Sequence, residues 1–214
     1  MTAVLMGDWS DPGTATYDAS LDVAAFYCGG NTPHVWTKAQ LDRQPQRYVV
    51  PIFVKPAGSS GYQAGINDGH AAVAAAKTYA VGAGRLVLDM ETWVDNPYSH
   101  GFRDGVAANN GWFTVVYGSK STIFGNHCPG GGWWVADWVG KPYEYPGDHV
   151  WATQCEPADA SHPWDISECV NLSHVWDRRE ARPVTDWRTR LYGELRLAAA
   201  DLGDLAAIVK AHGG

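Results

Sequence analysis

Short apolar segments recur along the chain, most of them bounded by turn residues or by helix-like stretches. They are rich in valine and in other β-branched and aromatic residues, and several are apolar throughout, as strands buried on both faces are. There are eight such segments: Val4–Trp9, Val23–Gly29, Tyr48–Val54, Arg85–Glu91, Trp112–Gly118, Gly132–Trp138, His149–Gln154 and Trp164–Val170. The pattern predicts that each forms a β-strand.

Helical patterns fill the gaps between the early strands. They cover Thr37–Arg43, Asn67–Val81, with Asn67 as its N-cap and Gly82 as its stop, and Pro97–Asn109. The later gaps are shorter and rich in glycine and proline. Early strand–helix alternation followed by abbreviated connections predicts an α/β fold, a (β/α)8 TIM-like barrel with short helices in its second half. A doubly wound open sheet is the alternative.

The chain after the eighth segment follows a different pattern. We predict a barrel domain over residues 1–177, a linker over 178–185 and an amphipathic helix over 186–214. Within Asp186–His212 an apolar seam recurs at nearly heptad spacing, through Trp187, Leu191, Leu195, Ala198, Leu202, Leu205 and Val209. Such a helix either docks on its own barrel or pairs, as a coiled coil, with copies of itself or with a partner protein.

Composition narrows the class of protein. Apolar residues make up 45% and charged residues 18% of the 214 residues, as in a globular protein. A net charge of −7 argues against a broad nucleic-acid surface, and no apolar run is long enough to span a membrane. The 11 Trp and 10 Tyr indicate either a large core or a surface on which sugar-like ligands stack.

The N-terminal stretch has neither the basic region nor the apolar region of a signal peptide. We therefore expect the protein to be virion-associated, or cytoplasmic until it is released by lysis.

The four cysteines do not form a metal-binding pattern. Cys28, Cys128, Cys155 and Cys169 include no Cys-x-x-Cys pair, and no histidine stands at zinc-ligand spacing beside them. No metal and no cofactor is therefore expected. A bridge between Cys155 and Cys169, which follow neighbouring strands, is left open.

Acidic residues stand at the ends of several predicted strands. Asp89 and Glu91 close the fourth strand, and residues two apart in a strand face the same side. Asp8 closes the first strand and Asp165 lies in the eighth, which neighbours the first in a closed barrel. The carboxyl ends of barrel strands carry the catalytic groups of such folds, so the four acids are candidate site residues.

Clustered carboxylates repel one another, which raises the pKa of at least one of them. An acid with a raised pKa donates a proton while an ionised neighbour stabilises positive charge, and glycoside hydrolysis uses such a pair. Two other interpretations stay open. Strand-end acids also cap helices or pair with arginine, and four carboxylates also bind a hard cation, although the spacing matches no known metal loop.

The order of these motifs resembles the family 25 glycoside hydrolases, lysozymes of the Chalaropsis type, and more closely the actinobacterial glycoside hydrolase-like domains. The resembling motifs are Asp8, Asp89-Met90-Glu91, Trp134-Val135-Ala136, Trp151-Ala152-Thr153-Gln154 and Asp165-Ile166-Ser167. The stretches Phe26–Gly30 and Val50–Ile52, together with Trp36, are similar to the glycoside hydrolase-like domains. Ser167 departs from the family, which has asparagine there, and the seventh-strand motif matches loosely.

The resemblance implies a barrel that cleaves the glycan of peptidoglycan between N-acetylmuramic acid and N-acetylglucosamine. It implies that Glu91 is the general acid, that Asp89 positions substrate or stabilises positive charge, and that Asp8 and Asp165 complete an acidic floor. Trp9, Trp93, Tyr117 and Trp138 are the residues expected to flank a sugar ring.

Two functions follow as hypotheses. The first is a muramidase-like glycoside hydrolase derived from a phage or an actinobacterium. The second is a catalytically inactive barrel that serves as a virion structural or glycan-binding protein and assembles through Asp186–His212.

Overall fold

The strands of the protein form one closed sheet. A computed structural model describes residues 4–10, 12–13, 15–91, 93–126, 132–137, 150–158, 162–170, 172 and 174–180. The strands are β1 (Val4–Asp8), β2 (Val23–Gly30), β3 (Tyr48–Val54), β4 (Arg85–Glu91), β5 (Phe113–Ser119), β6 (Trp133–Ala136), β7 (Val150–Glu156), β8 (Asp165–Cys169) and the short β9 (Trp176–Asp177). All eight predicted strands are present.

The first eight strands close into a barrel, which confirms the predicted fold class. Strands β1 to β7 run parallel to one another. Strand β8 pairs antiparallel with both β7 and β1 and completes the circle. The predicted (β/α)8 barrel implies eight parallel strands, and β8 departs from this, since it follows β7 through a connection without a helix in its described residues.

The helices lie between the strands of the first part of the chain. They are α1 (Lys38–Asp42), α2 (Gly61–Thr78), α3 (Asn96–Ala107) and the short α4 (Lys120–Asn126). Thr37 caps α1 with a capping box, and Asp95 caps α3 by accepting a hydrogen bond from the Tyr98 N–H. The sequence analysis did not predict α4.

Helix α2 begins at Gly61, after the N-cap Ser60, and not at the predicted Asn67. The early glycines hid this start, because glycine weakens a helical pattern in the sequence. Gly65 instead permits close packing on α3, since a Cβ atom there would lie 2.1 Å from the Tyr98 carbonyl oxygen. On α3, a Cβ atom at Gly101 would lie 1.9 Å from the Tyr62 carbonyl oxygen.

Successive side chains of each strand point to opposite faces of the sheet, which produces two apolar layers. Side chains such as Val50, Ile52 and Val87 fill the barrel interior, and Leu86 and Leu88 pack outward with the helices. Asp89 follows the inward set and is buried at one end of the interior. The strand pattern itself therefore aims this carboxyl group into the barrel.

The N-terminal ends of the parallel strands are closed by the last described segment. Strand β9 pairs antiparallel with Tyr48 and Val49 at the start of β3, and the Arg47 Nε–H donates to Asp177 Oδ2 at 2.6 Å. A 3-10 helix over Arg178–Glu180 follows, so the predicted linker begins with a helical turn. The predicted helix over 186–214 lies outside the described residues.

None of the helices in the described ranges is both long enough and apolar enough to cross a membrane.

Candidate active site

Acidic side chains converge at the carboxyl ends of the parallel strands, an end called the mouth below. Asp8 ends β1, while Asp89 and Glu91 end β4. Asp165 begins β8, and because β8 runs antiparallel its first residue lies at the same mouth. Asp8 and Asp165 are direct partners in the β1–β8 register.

Asp8 is one of the buried acids at the mouth. Its side chain is only 6% exposed, and the Tyr27 hydroxyl donates a hydrogen bond to it. The Oδ1 atom of Asp8 is buried and has no hydrogen-bond partner among the described residues. Burial, followed by repulsion from Asp165 and Asp89, raises the pKa of Asp8 well above its usual value. A buried oxygen without a partner adds to the cost of ionising Asp8.

Asp89 and Glu91 differ in burial. Asp89 is 2% exposed, whereas Glu91 is exposed at the rim. A register shift separates them, Glu91 has a φ of 42°, and the Glu91 N–H donates to Asp89 Oδ1 at 3.1 Å. Burial, with a further contribution from the Glu91 charge, raises the pKa of Asp89 to about 7. A buried acid that titrates near neutrality thus lies next to an exposed one.

Asp165 is held by hydrogen bonds on both oxygens. Oδ1 accepts from the Ala158 N–H at 2.6 Å, and Oδ2 accepts from Gln154 Nε2 at 2.6 Å. The buried Gln154 in turn accepts from the Tyr117 hydroxyl at 2.5 Å. Burial nevertheless raises the pKa of Asp165. Asp165 therefore holds the Ala158 backbone and the Gln154 side chain in place, and it also contributes a carboxyl group to the mouth.

The predicted sugar-flanking residues lie in different environments. Trp9 packs between Tyr17 and Trp164, with ring centroids 5.7 and 5.3 Å away. Trp93 is 57% exposed, and the Lys55 ammonium lies 4.7 Å from its ring centroid. Tyr117 packs on Trp134 at 4.8 Å. Trp138 lies outside the described residues.

A small cleft opens beside Asp8 and Asp165, with a volume of about 90 Å³. Its lining consists of Asp8, Ser10, Tyr27, Ala158, Pro163, Trp164 and Asp165. Tyr27 and Trp164 were not predicted as site residues. Tyr27 was detectable in principle, because it lies two residues after the inward-facing Ala25 near the end of β2.

Ser167 has a packing partner that accounts for its place in β8. Its hydroxyl accepts a hydrogen bond from the Trp134 indole at 3.0 Å, and both side chains are buried in the barrel. Ser167 therefore satisfies a buried indole N–H that would otherwise lack a partner.

Cys28, Cys155 and Cys169 are free and buried. The bridge left open between Cys155 and Cys169 is not formed, because the β7–β8 register pairs Cys169 with Ala152, three residues before Cys155. Over the described ranges, no three His, Cys, Asp or Glu side chains are grouped so as to hold a metal ion.

The fold has close matches among solved structures although the sequence does not. No protein-family model and no curated protein sequence matches the chain. The catalytic domain of endolysin ply40 from Listeria monocytogenes bacteriophage P40 is 19% identical, with a TM-score of 0.61, covering 78% of this chain and 93% of that one. An uncharacterized B. stearothermophilus protein is 15% identical, with a TM-score of 0.60, covering 82% of this chain and 97% of that one.

A further match is the modular autolysin LytC from Streptococcus pneumoniae, solved in complex with a synthetic peptidoglycan ligand. It is 13% identical, with a TM-score of 0.57, and the match covers 81% of this chain and 46% of LytC. At these identities the likeness concerns the fold. The chain therefore has the barrel fold of a phage endolysin catalytic domain and of a part of a modular autolysin.

Proposed function

We propose that this protein is a peptidoglycan-directed glycoside hydrolase with muramidase-like action. The observation that carries the proposal is the meeting of Asp8, Asp89, Glu91 and Asp165 at one mouth of the barrel. In the described part of the chain none of these carboxylates forms an ion pair with lysine, arginine or histidine. Unpaired acids that crowd together at a buried strand end lower stability, which favours a functional reason for them.

The chemistry assigns different tasks to exposed and buried acids. Glu91, at the rim, is the acid that a glycan strand outside the barrel reaches, and it donates a proton to the leaving oxygen. Asp89, below it, supplies negative charge that stabilises positive charge on the sugar ring. Because burial raises the pKa of Asp89 to about 7, this charge develops fully only above neutral pH. The proton is assigned to Glu91 because its side chain is exposed to a glycan at the rim, and not from a comparison of pKa values.

The substrate class is supported by the neighbours in fold. One of them is an endolysin catalytic domain, and another was solved with a synthetic peptidoglycan ligand. The exposed Trp93 ring near Glu91 offers an apolar face on which a sugar packs.

The test is the release of reducing sugar from purified peptidoglycan between about pH 4 and 9, with wild type beside Glu91→Gln. Glu168→Gln is the matched control, because Glu168 lies in β8 between the inward-facing Ser167 and Cys169 and so faces away from the interior. We expect activity in wild type and in Glu168→Gln, and its loss in Glu91→Gln. An inactive wild type, or an active Glu91→Gln variant, would overturn the proposal.

A second candidate function is assembly through residues 186–214, in a virion or with a partner protein. One observation favours it: β9 joins the start of β3, so the described chain reaches Arg179 at the end of the barrel opposite the mouth. Native mass spectrometry of the full chain and of a chain ending at Arg179, each checked for folding by circular dichroism, tests this. We expect the full chain alone to oligomerise, and two monomers would reject assembly by self-pairing.

A further inference from the structure

The backbone at Glu91 is in an uncommon conformation. Its φ of 42° lies in the left-handed region, which residues with a side chain rarely occupy unless their surroundings hold them there. The β4–β5 register also shifts between Asp89 and Glu91, so that Glu91 pairs with Gly118. Something must stabilise this turn, because it would otherwise relax toward extended backbone.

A buried hydroxyl from α4 contacts that turn. Thr122 is 1% exposed, and its Oγ1 donates a hydrogen bond to the Glu91 carbonyl oxygen. The Ser119 hydroxyl lies 3.0 Å from Thr122 Oγ1, so it serves as donor to the hydroxyl that donates to Glu91. Gly118 leaves room for this contact, since a Cβ atom there would lie 2.8 Å from both the Glu91 carbonyl oxygen and Thr122 Cγ2.

A second side chain of α4 holds the far end of the same loop. The Asn126 side chain is fully buried, donates to the Trp93 carbonyl oxygen at 2.9 Å and accepts from the Asp95 N–H at 2.9 Å. The loop that carries Glu91 is therefore fixed at both ends by one short helix. Both α4 side chains form hydrogen bonds with main-chain groups of the loop, so they hold its backbone.

We propose that Thr122 is a positioning residue for Glu91, which holds the Glu91 backbone in its left-handed conformation and so keeps the carboxyl group at the rim beside Asp89. The inference rests on the proposed function for its catalytic consequence, but its structural content is independent of it. A merely structural Thr122 would stabilise α4 without affecting the conformation of Glu91.

Two variants separate the hydroxyl from the shape of the side chain. Thr122→Val keeps the branched shape and removes the hydroxyl, whereas Thr122→Ser keeps the hydroxyl and removes a methyl group. On peptidoglycan we expect Thr122→Val to lower kcat by about 10- to 100-fold with KM changed less than about twofold, because a displaced catalytic group mainly affects the chemical step. Thr122→Ser should retain kcat within about threefold of wild type. A wild-type kcat in Thr122→Val, or an equal loss in both variants, would overturn the proposal.

Ser119→Ala is the milder variant for the case in which Thr122→Val does not fold. Ser119 is half-buried, and its loss removes the second hydroxyl of the chain of contacts while Thr122 keeps its own hydroxyl. It also removes the acceptor of the Thr122 N–H and a contact with Ser121. We expect kcat to fall by about threefold with KM unchanged. No change in kcat would count against the proposal.

A spectroscopic measurement decides the structural content without any activity. In protein labelled with ¹³C-glutamate, the resonances of Glu91 are those that disappear in Glu91→Gln, and their backbone shifts report the left-handed φ. We expect these shifts to move toward extended-backbone values in Thr122→Val but not in Thr122→Ser, while those of Glu168 stay fixed. Unmoved Glu91 shifts in Thr122→Val would reject the positioning role. An inactive wild type with moving shifts would reject the proposed function alone.

Discussion

The two ends of the barrel treat their charged side chains in opposite ways. At the mouth, burial raises the pKa of Asp8, Asp89 and Asp165, and repulsion from neighbouring acids raises it further for Asp8 and Asp89. At the other end, called the base here, the Arg47 guanidinium pairs with Asp177, and this hydrogen bond lowers the pKa of Asp177. Acids at the base favour the folded state by their charge, and acids at the mouth oppose it.

This difference separates stability from function within one sheet. Charges paired at the base hold β9 against β3 and keep the barrel closed where the chain leaves it. The acids at the mouth form no ion pair among the described residues, and the surrounding strands hold them in place. This is expected of a site whose acids must interact with a ligand and not with a basic side chain. Each prediction below changes one side of this comparison.

The largest effect should be on the pH dependence of stability. The pKa of Asp89 is about 7 in the folded state and about 3.9 in an unfolded chain, so between these values the folded state binds more protons. Its contribution to stability is therefore complete below about pH 4 and is lost as the pH rises through about 7. The loss reaches about 4 kcal/mol where the whole shift is expressed.

The measurement is the free energy of unfolding in urea from about pH 4 to 8, for wild type and Asp89→Asn. We expect Asp89→Asn to gain stability relative to wild type as the pH rises. Asp177→Asn is the control from the base, and it should be less stable than wild type by a nearly constant amount over this range, because the lowered pKa of Asp177 places its titration below about pH 4. Parallel curves for wild type and Asp89→Asn would contradict the contrast between the ends.

The next effect concerns activity at the mouth. Asp89→Asn keeps an acceptor for the Glu91 N–H but removes the negative charge, so reducing-sugar release should fall by about 100-fold while the protein becomes more stable. In wild type, kcat/KM should decline as the pH falls below about 7, since Asp89 becomes protonated. Equal activity of Asp89→Asn and wild type at pH 8 would show that this charge does not act in catalysis.

At the base, Arg47→Met should lower the free energy of unfolding by about 1 kcal/mol without changing activity. The variant leaves the Asp177 carboxylate, whose side chain is 9% exposed, without the Arg47 hydrogen bond. The estimate is reduced because the Arg47 side chain is 40% exposed and its pair is screened by solvent. Urea unfolding at pH 7 checks the stability, and reducing-sugar release checks the activity. An activity loss without destabilisation would mean that the two ends are coupled.

Regular periodicity made most of the barrel predictable. The eight strands have continuous apolar patterns, and Asp8, Asp89 and Asp165 could be assigned to strand ends because each terminates or begins such a pattern. The antiparallel direction of β8 was not predictable, since direction depends on a connection whose length alone does not determine it. The start of α2 was missed because Gly61 and Gly65 weaken the helical pattern before Asn67, and the packing role of Gly65 cannot be distinguished from a loop in the sequence.

The detailed geometry of the site could not be predicted from the sequence, for a different reason. The positive φ of Glu91 and its hydrogen bond from Thr122 depend on contacts between β4 and α4, which are 31 residues apart. Helix α4 has seven residues and no strong apolar period, so its own sequence did not indicate a helix. The aromatic wall formed by Trp9 and Trp164 likewise joins the two ends of the barrel sequence.

The smallest effect should come from an ion pair near the base that is exposed. Lys38 and Asp42 pair at i and i+4 on α1 with an Nζ–Oδ2 distance of 2.6 Å, and both side chains are about half exposed. Lys38→Ala should therefore lower the free energy of unfolding by less than about 0.5 kcal/mol, below the effect of Arg47→Met. Urea unfolding at about 0.1 and 1 M salt checks this, because screening should abolish what little the exposed pair contributes. If Lys38→Ala destabilises as much as Arg47→Met, then charge pairing in general stabilises this end, and the burial of Asp177 is not what distinguishes the base from the mouth.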